Sequence, residues 1–188
     1  MKVLVIDLCR EENSLHYKEF VQPVVDILNQ ANIKNEIIYF KKLDVINFED
    51  YNNFNKIILC GVALKDFDYL DNLDKFEILK KVPCEILGIC AGSQIIGKLF
   101  GYELKKGQEI GLIDLDVLKN DKIFEDVNLN EVYCLHNSYI DFNESNFVDV
   151  EILAKSKNFV QAFKIRNFYG VLFHPEVRNK ELIINFVQ

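Results

Sequence analysis

Strand-length apolar runs alternate with helix-period segments through the first hundred residues, and that alternation restricts the chain to a parallel α/β sheet. Residues 2–8 are apolar almost throughout, as a central parallel strand buried on both faces must be. After a polar turn at 9–13, apolar residues recur at helical spacing at Phe20, Val21, Val24, Val25 and Leu28. Residues 36–40 and 56–60 read as the second and third strands. The pattern predicts a helix over 69–81, closed by Pro83, then a fourth strand over 84–89 and at once a helix over 91–100. From Gly101 the pattern changes. Short apolar runs at 112–118, 131–135, 150–154, 159–164 and 169–173 read as strands with few helical intervals, and a helix over 180–186 closes the chain. No repeat, low-complexity tract or linker interrupts it, so one domain spanning 1–188 is expected.

Charge and cysteine usage narrow the function classes. The net charge of -7 argues against nucleic acid or an anionic membrane as the main partner. No apolar stretch approaches the roughly 20 residues that span a bilayer. The opening residues run straight into a strand with no cleavage site behind it, so a cytoplasmic protein is expected. The five cysteines (Cys9, Cys60, Cys84, Cys90 and Cys134) are odd in number and irregularly spaced. Neither a disulfide framework nor a zinc motif is expected of them, and no metal or organic cofactor. The question they leave is whether one thiol is reactive.

Cys90 is the candidate. The segment Gly88-Ile89-Cys90-Ala91-Gly92-Ser93-Gln94 passes from buried strand to helix through a tight turn, which presents a side chain at the carboxyl edge of the sheet, where open α/β proteins keep their ligands. Gly88 and Gly92 remove side chains where strand and helix would collide. The helix aims its free N–H groups and positive dipole end at the sulfur, which favours the nucleophilic thiolate. An isolated cysteine behind a strand is more often a small core residue; the glycine bracket is what argues otherwise.

Three histidines are available as a base. His16 lies on the first helical pattern, at a surface or boundary position. His174 ends the run Phe168-Tyr169-Gly170-Val171-Leu172-Phe173-His174-Pro175-Glu176. Pro175 favours an extended His174, and residues two apart in extended chain project to one side, so Glu176 reaches the ring. A carboxylate there fixes the tautomer and stabilises the imidazolium. His-Pro-Glu could equally be a strand-ending turn; an oriented His together with a cysteine elbow favours nucleophilic catalysis.

These two segments resemble the signature motifs of the class I glutamine amidotransferases: Gly88-Ile89-Cys90-x-Gly92-x-Gln94 and Gly170-Val171-x-Phe173-His174-Pro175-Glu176, in the family's order and at about its separation. Weaker echoes are Glu109-Ile110-Gly111, Ile152-Leu153-Ala154-Lys155-Ser156 and Val160-Gln161-Ala162-Phe163, so the resemblance covers nearly the whole chain. The expected architecture is α/β, a flavodoxin-like, three-layer, open and mostly parallel sheet with additional antiparallel strands in the C-terminal half. The resemblance implies that Cys90 forms a γ-glutamyl thioester with glutamine, that His174 shuttles protons and that Glu176 orients it. It places Gln94 in the glutamine pocket and makes His136-Asn137-Ser138-Tyr139 a loop that holds the α-carboxylate and α-amine, with Asn137, Ser138 and Tyr139 as binding residues. His136 by itself reads as structural or peripheral. The Ala91 N–H is one expected oxyanion donor.

The second donor departs from the pattern. Where most members carry Gly-Gly-Pro, this chain has Cys60-Gly61-Val62-Ala63, closer to the Pro-Gly-Val-Gly loop of the imidazole glycerol phosphate synthase glutaminase. The Gly61–Val62 backbone can still donate, but a β-branched residue is less free to adopt an unusual peptide orientation. A chain that is a poor glutaminase until a partner docks is therefore expected. Cys9-Arg10-Glu11-Glu12-Asn13 replaces a Gly-rich turn and marks a candidate partner surface. Little chain remains after Glu176, so the ammonia acceptor is expected on a separate synthetase subunit; size and the His-Pro-Glu-Val ending are most similar to the stand-alone glutaminase subunits of GMP synthetases. The alternatives are a γ-glutamyl hydrolase acting on γ-glutamyl conjugates, and a catalytically weak regulatory subunit.

Overall fold

A computed structural model describes residues 1–45, 48–142 and 149–188. Five strands form the parallel part of the main sheet: β1 (Lys2–Asp7), β2 (Lys34–Tyr39), β3 (Lys56–Leu59), β4 (Glu85–Ile89) and β10 (Phe168–Val171). Their spatial order is β2-β1-β3-β4-β10, and antiparallel β9 (Val160–Ile165), β8 (Glu151–Lys155) and the two-residue β6 (Asp116–Val117) extend it. This is the expected doubly wound order with an antiparallel extension. The strand order reverses between β1 and β3, the switch point at whose carboxyl side open α/β sheets keep their ligands.

Alternation along each strand divides the core between the two faces. Val3 and Val5 of β1 pack with α2 (Gln22–Gln30) and α6 (Lys180–Val187) on one side. Leu4 and Ile6 pack with α4 (Ala91–Leu99) and the segment Leu70–Lys81 on the other. The single helical pattern near residue 20 is in fact two helices, α1 (Leu15–Phe20) and α2, broken at Val21. Pro23 explains the break: it lacks an N–H and is tolerated only in a first turn. A further short helix, α3, covers Phe48–Tyr51.

Two expectations are corrected here. Leu70–Lys81 is a 3-10 segment with a kink at Asn72, not an α-helix. Its apolar residues Leu70, Leu73, Phe76 and Leu79 recur every third position, which suits three residues per turn and leaves an α-helix without a continuous stripe. The second concerns 136–139, expected as a loop. These residues lie inside β7 (Val132–Asp141), which pairs antiparallel with β5 (Glu103–Ile113) in a separate two-stranded ribbon. Asn-Ser reads locally as a turn, but the ladder with β5 overrides it: Glu109 opposes His136, Lys106 opposes Ser138 and Lys105 opposes Tyr139. The ribbon lies over the carboxyl end of the sheet. Among the described residues no helix is long and apolar enough to cross a membrane.

Candidate active site

Cys90 sits between β4 and α4 with φ 48° and ψ -102°, a backbone conformation that costs a non-glycine residue about 1–3 kcal/mol and persists only where the surroundings impose it. The surroundings do so through backbone contact. A Cβ on Gly92 would lie 2.4 Å from the Leu59 carbonyl oxygen, and one on Gly88 would lie 2.4 Å from the Gly92 carbonyl carbon. Strand, turn and helix therefore meet at backbone distance, as the glycine bracket predicts. The Cys90 N–H donates to the Val171 carbonyl at 2.8 Å, which extends the β4–β10 ladder to Cys90 itself. Ala91 opens α4, so its N–H has no carbonyl one turn back to bond.

His174 follows β10, the parallel neighbour of β4. Both side chains thus leave the same sheet edge. The His174 ring is fully buried, the residue's backbone N–H donates to the Tyr133 carbonyl at 2.8 Å, and Phe20 packs against the ring at 5.5 Å between centroids. Nδ1 lies 2.7 Å from Glu176 Oε1. The route to that contact differs from the extended one expected: Glu176 is the second residue of a short helix, α5 (Pro175–Arg178), capped by His174. Pro175 starts the helix because its fixed φ suits a first turn. With Nδ1 committed, the buried Nε2 is left for Cys90, with which the ring interacts although no bond to it meets strict hydrogen-bond geometry. Burial opposes charge on this ring, but the Glu176 carboxylate, and after it Cys90, outweigh burial and hold its pKa well above the ordinary 6.5. Burial pushes the thiols of Cys9, Cys60, Cys84 and Cys134 up, which leaves them poor nucleophiles at neutral pH.

The other residues divide. Val62, Ala91, Gln94 and Asn137 line a small cavity with Cys90. It offers about 10 Å³, room for about one water. Gln94 Oε1 accepts from the Tyr69 hydroxyl at 2.5 Å, and its Nε2 donates to the Ser138 carbonyl at 3.1 Å. The Cys90 thiol donates to the Leu135 carbonyl at 3.7 Å. Asn137 Nδ2 donates to the Leu64 carbonyl at 2.8 Å, strapping β7 to the loop after β3. Tyr139 instead packs on Phe159, 4.6 Å between centroids. Val62 is nearly fully buried and is not among the residues with positive φ.

Gly61 has a role that sequence reasoning missed. A Cβ there would lie 2.7 Å from His174 Cε1 and 3.2 Å from Nδ1, so its missing side chain is the space the imidazole occupies. Tyr69 and Leu135 were missed too: a Tyr ending a loop and a backbone carbonyl carry no motif. His136, read as structural or peripheral, is buried and lines the same cavity as Cys90. Burial, the largest influence, lowers its pKa and favours the neutral ring.

Comparison with known proteins bears on the arrangement. The family model for glutamine amidotransferase class-I matches residues 16–187. A GMP synthase (glutamine-hydrolyzing) subunit of Methanosphaera stadtmanae is 33% identical over 171 residues, covering 85% of this chain and 86% of that one. The imidazole glycerol phosphate synthase subunit HisH of Pelagibacter ubique is 28% identical, covering 85% and 95%. Among solved structures, a GMP synthase subunit from Thermoplasma acidophilum superposes with a TM-score of 0.82 at 23% identity, over 100% of this chain and 92% of that one.

Proposed function

The chain belongs to the class-I glutamine amidotransferase family, and from that premise we propose that Cys90, His174 and Glu176 hydrolyse the side-chain amide of glutamine and that the ammonia passes to a separate synthetase subunit. The acceptor subunit is of the GMP synthase kind, as the name of the 33%-identical relative suggests, and the chain acts as a single cytoplasmic domain. The observation that carries the site assignment is the shared edge. Cys90 and His174 end adjacent parallel strands, and His174 Nδ1 is held by Glu176 while Nε2 is left for Cys90.

The steps follow from that geometry. Cys90 Sγ, its proton already held on His174 Nε2 as the raised pKa of that ring favours, attacks the amide carbon. The oxygen becomes an oxyanion, for which the Ala91 N–H and a backbone N–H of the Gly61–Val62 loop are the donors. The tetrahedral adduct collapses, the C–N bond breaks and His174 gives its proton to the departing nitrogen. Water then attacks the γ-glutamyl thioester and yields a proton to His174 Nε2; the S–C bond breaks, glutamate is released and the thiolate–imidazolium pair is restored. Glu176 keeps one tautomer in place throughout and balances the imidazolium. Gln94, Asn137 and Ser138 belong to the substrate side, whereas Tyr139 is turned onto Phe159 outside the cavity's lining. Gln94 is oriented by Tyr69, and Ser138 takes part through its carbonyl.

The small cavity at Cys90, about 10 Å³, and the β-branched Val62 in the donor loop support a chain that is a weak glutaminase until the synthetase docks. The test is ammonia release from glutamine by wild type and Cys90→Ala, each alone and with the co-purified synthetase. Wild type gains activity with the partner, and Cys90→Ala loses at least about 10⁴-fold. Full activity of the wild-type chain alone sinks the gating; activity retained by Cys90→Ala sinks the assignment of the nucleophile.

A further inference from the structure

One group of ligating side chains lies outside the catalytic constellation. Cys134 and His136 are two residues apart on β7 and so project to the same face. Glu109, on β5, is the ladder partner of His136. Their ligand atoms all fall within 4.8 Å of one another, and the Cys and His side chains are fully shielded from solvent. The sequence offered no such group, since the three come from strands separated by about 25 residues and form no spaced motif.

We propose that Glu109, Cys134 and His136 form a binding site for a thiophilic divalent cation of the zinc type, set in the ribbon beneath the catalytic thiol. Thiolate, imidazole and carboxylate are the donor set such a cation takes, and they suit it better than any ion that prefers oxygen alone. A tetrahedral zinc needs its donors roughly 3.3–3.8 Å apart, so a contraction of about 1 Å at the widest pair completes the shell. Two further observations point the same way. His136 Nδ1 lies 3.3 Å from the Gly107 carbonyl, which fixes the proton on Nδ1 and turns the Nε2 lone pair into the cluster; ligand histidines are oriented this way. The amide of Gln161, fully buried on β9, stands between the three donors. Its Nε2 donates to Glu109 Oε2 at 2.7 Å and lies 3.3 Å from His136 Nε2, while its Oε1 accepts from the Cys134 thiol at 3.5 Å. That is where a cation would sit, with an uncharged donor group in its stead. Turned over, the same amide offers an oxygen as fourth ligand. On uptake the Cys134 proton leaves to solvent, the metal–sulfur bond replaces it, and Gln161 gives up its bonds to Glu109 and His136. The ion's charge is what ionises the thiol.

The test is metal titration of the tag-free full chain carrying Cys90→Ser, so that the catalytic thiol cannot contribute and the readout does not depend on glutaminase activity. With cobalt(II) alone as probe, the expected result is a thiolate-to-cobalt charge-transfer band saturating at one equivalent, displaced by zinc, with about one proton released per metal. Cys134→Ala in that background abolishes the band. Because Cys134 is a core residue, Glu109→Gln serves as the gentler variant, checked for folding by circular dichroism. It keeps the band but weakens binding at least about tenfold, the loss that even outer partners of metal ligands cause. No thiolate band in the parent, a band that survives Cys134→Ala, or unchanged affinity in a folded Glu109→Gln chain overturns the proposal.

Discussion

His174 shows how much of the chemistry is set atom by atom. Gly61 leaves the room for its ring, Glu176 holds one nitrogen and the other is left for Cys90. Gly61→Ala should push the ring aside by a fraction of an ångström to an ångström. We expect kcat to fall about a hundredfold with little change in KM, and stability to fall by about 1–3 kcal/mol; a kcat within twofold of wild type would remove the steric role. Glu176 carries a second prediction, in the pH dependence of stability. A folded-state pKa raised above 6.5 means that protonated His174 contributes stability that is complete below about 6.5 and is lost as pH rises through the folded value. In Glu176→Gln the carboxylate is gone and Cys90 alone opposes burial, so the folded value falls. The contribution of the protonated ring shrinks and is lost at lower pH than in wild type. Urea midpoints of the two proteins between pH 5 and 9 should therefore diverge in slope, and parallel curves would show that the carboxylate does not govern the ring.

At the level of elements, the site joins two kinds of support. Cys90 and His174 stand on the sheet, whereas Asn137 and Leu135 stand on the ribbon, and the Asn137–Leu64 hydrogen bond ties the ribbon to the loop after β3. Removing that bond with Asn137→Ala should raise the rate at which iodoacetamide alkylates Cys90 by about fivefold, the equivalent of one hydrogen bond of about 1 kcal/mol; an unchanged rate would mean that the strap does not keep the cavity shut. The sequence disclosed the sheet half of this arrangement far better than the ribbon half. The strand–Gly-Ile-Cys-Ala-Gly–helix turn is a local signal, legible because both its glycines are demanded by contacts within a few residues or with the next strand. His174 and Glu176 were legible as a pair, although helix α5 rather than extended chain brings them together. The ribbon was legible only in part: the predicted run at 131–135 overlaps β7 and Glu109-Ile110-Gly111 falls in β5, but β5 is polar and half-exposed along its length and Asn137-Ser138 imitates a turn. Gly61 was read in one respect only: it was weighed as a backbone donor, and the tertiary packing adds an imidazole where its side chain would be.

For the molecule as a whole, stability should be graded outward from the strands that carry the chemistry. β1, β3, β4 and β10 lie inside the sheet with both faces covered, while β6 is a two-residue exposed edge. Native-state hydrogen exchange should find the slowest amides in β1, β3, β4 and β10, including the Cys90 N–H that bonds Val171, and the fastest in β6. Rapid exchange at Cys90 would show that the elbow opens independently of the sheet.

The continuous ladder from β4 into the Cys90 backbone has a bearing on how such a chain can change over generations. The backbones of Cys90 and His174 are indexed to each other by sheet register, while Gly61 of the β3 loop and the Tyr133 carbonyl of β7 only trim where the imidazole sits. Substitutions such as Val62 in that loop, or Cys9–Asn13 at the rim, can alter what approaches the thiol and which protein docks there without disturbing the spacing of the reacting pair. Chemistry and affiliation are thus encoded in separable stretches of sequence, which lets one diversify while the other stays still.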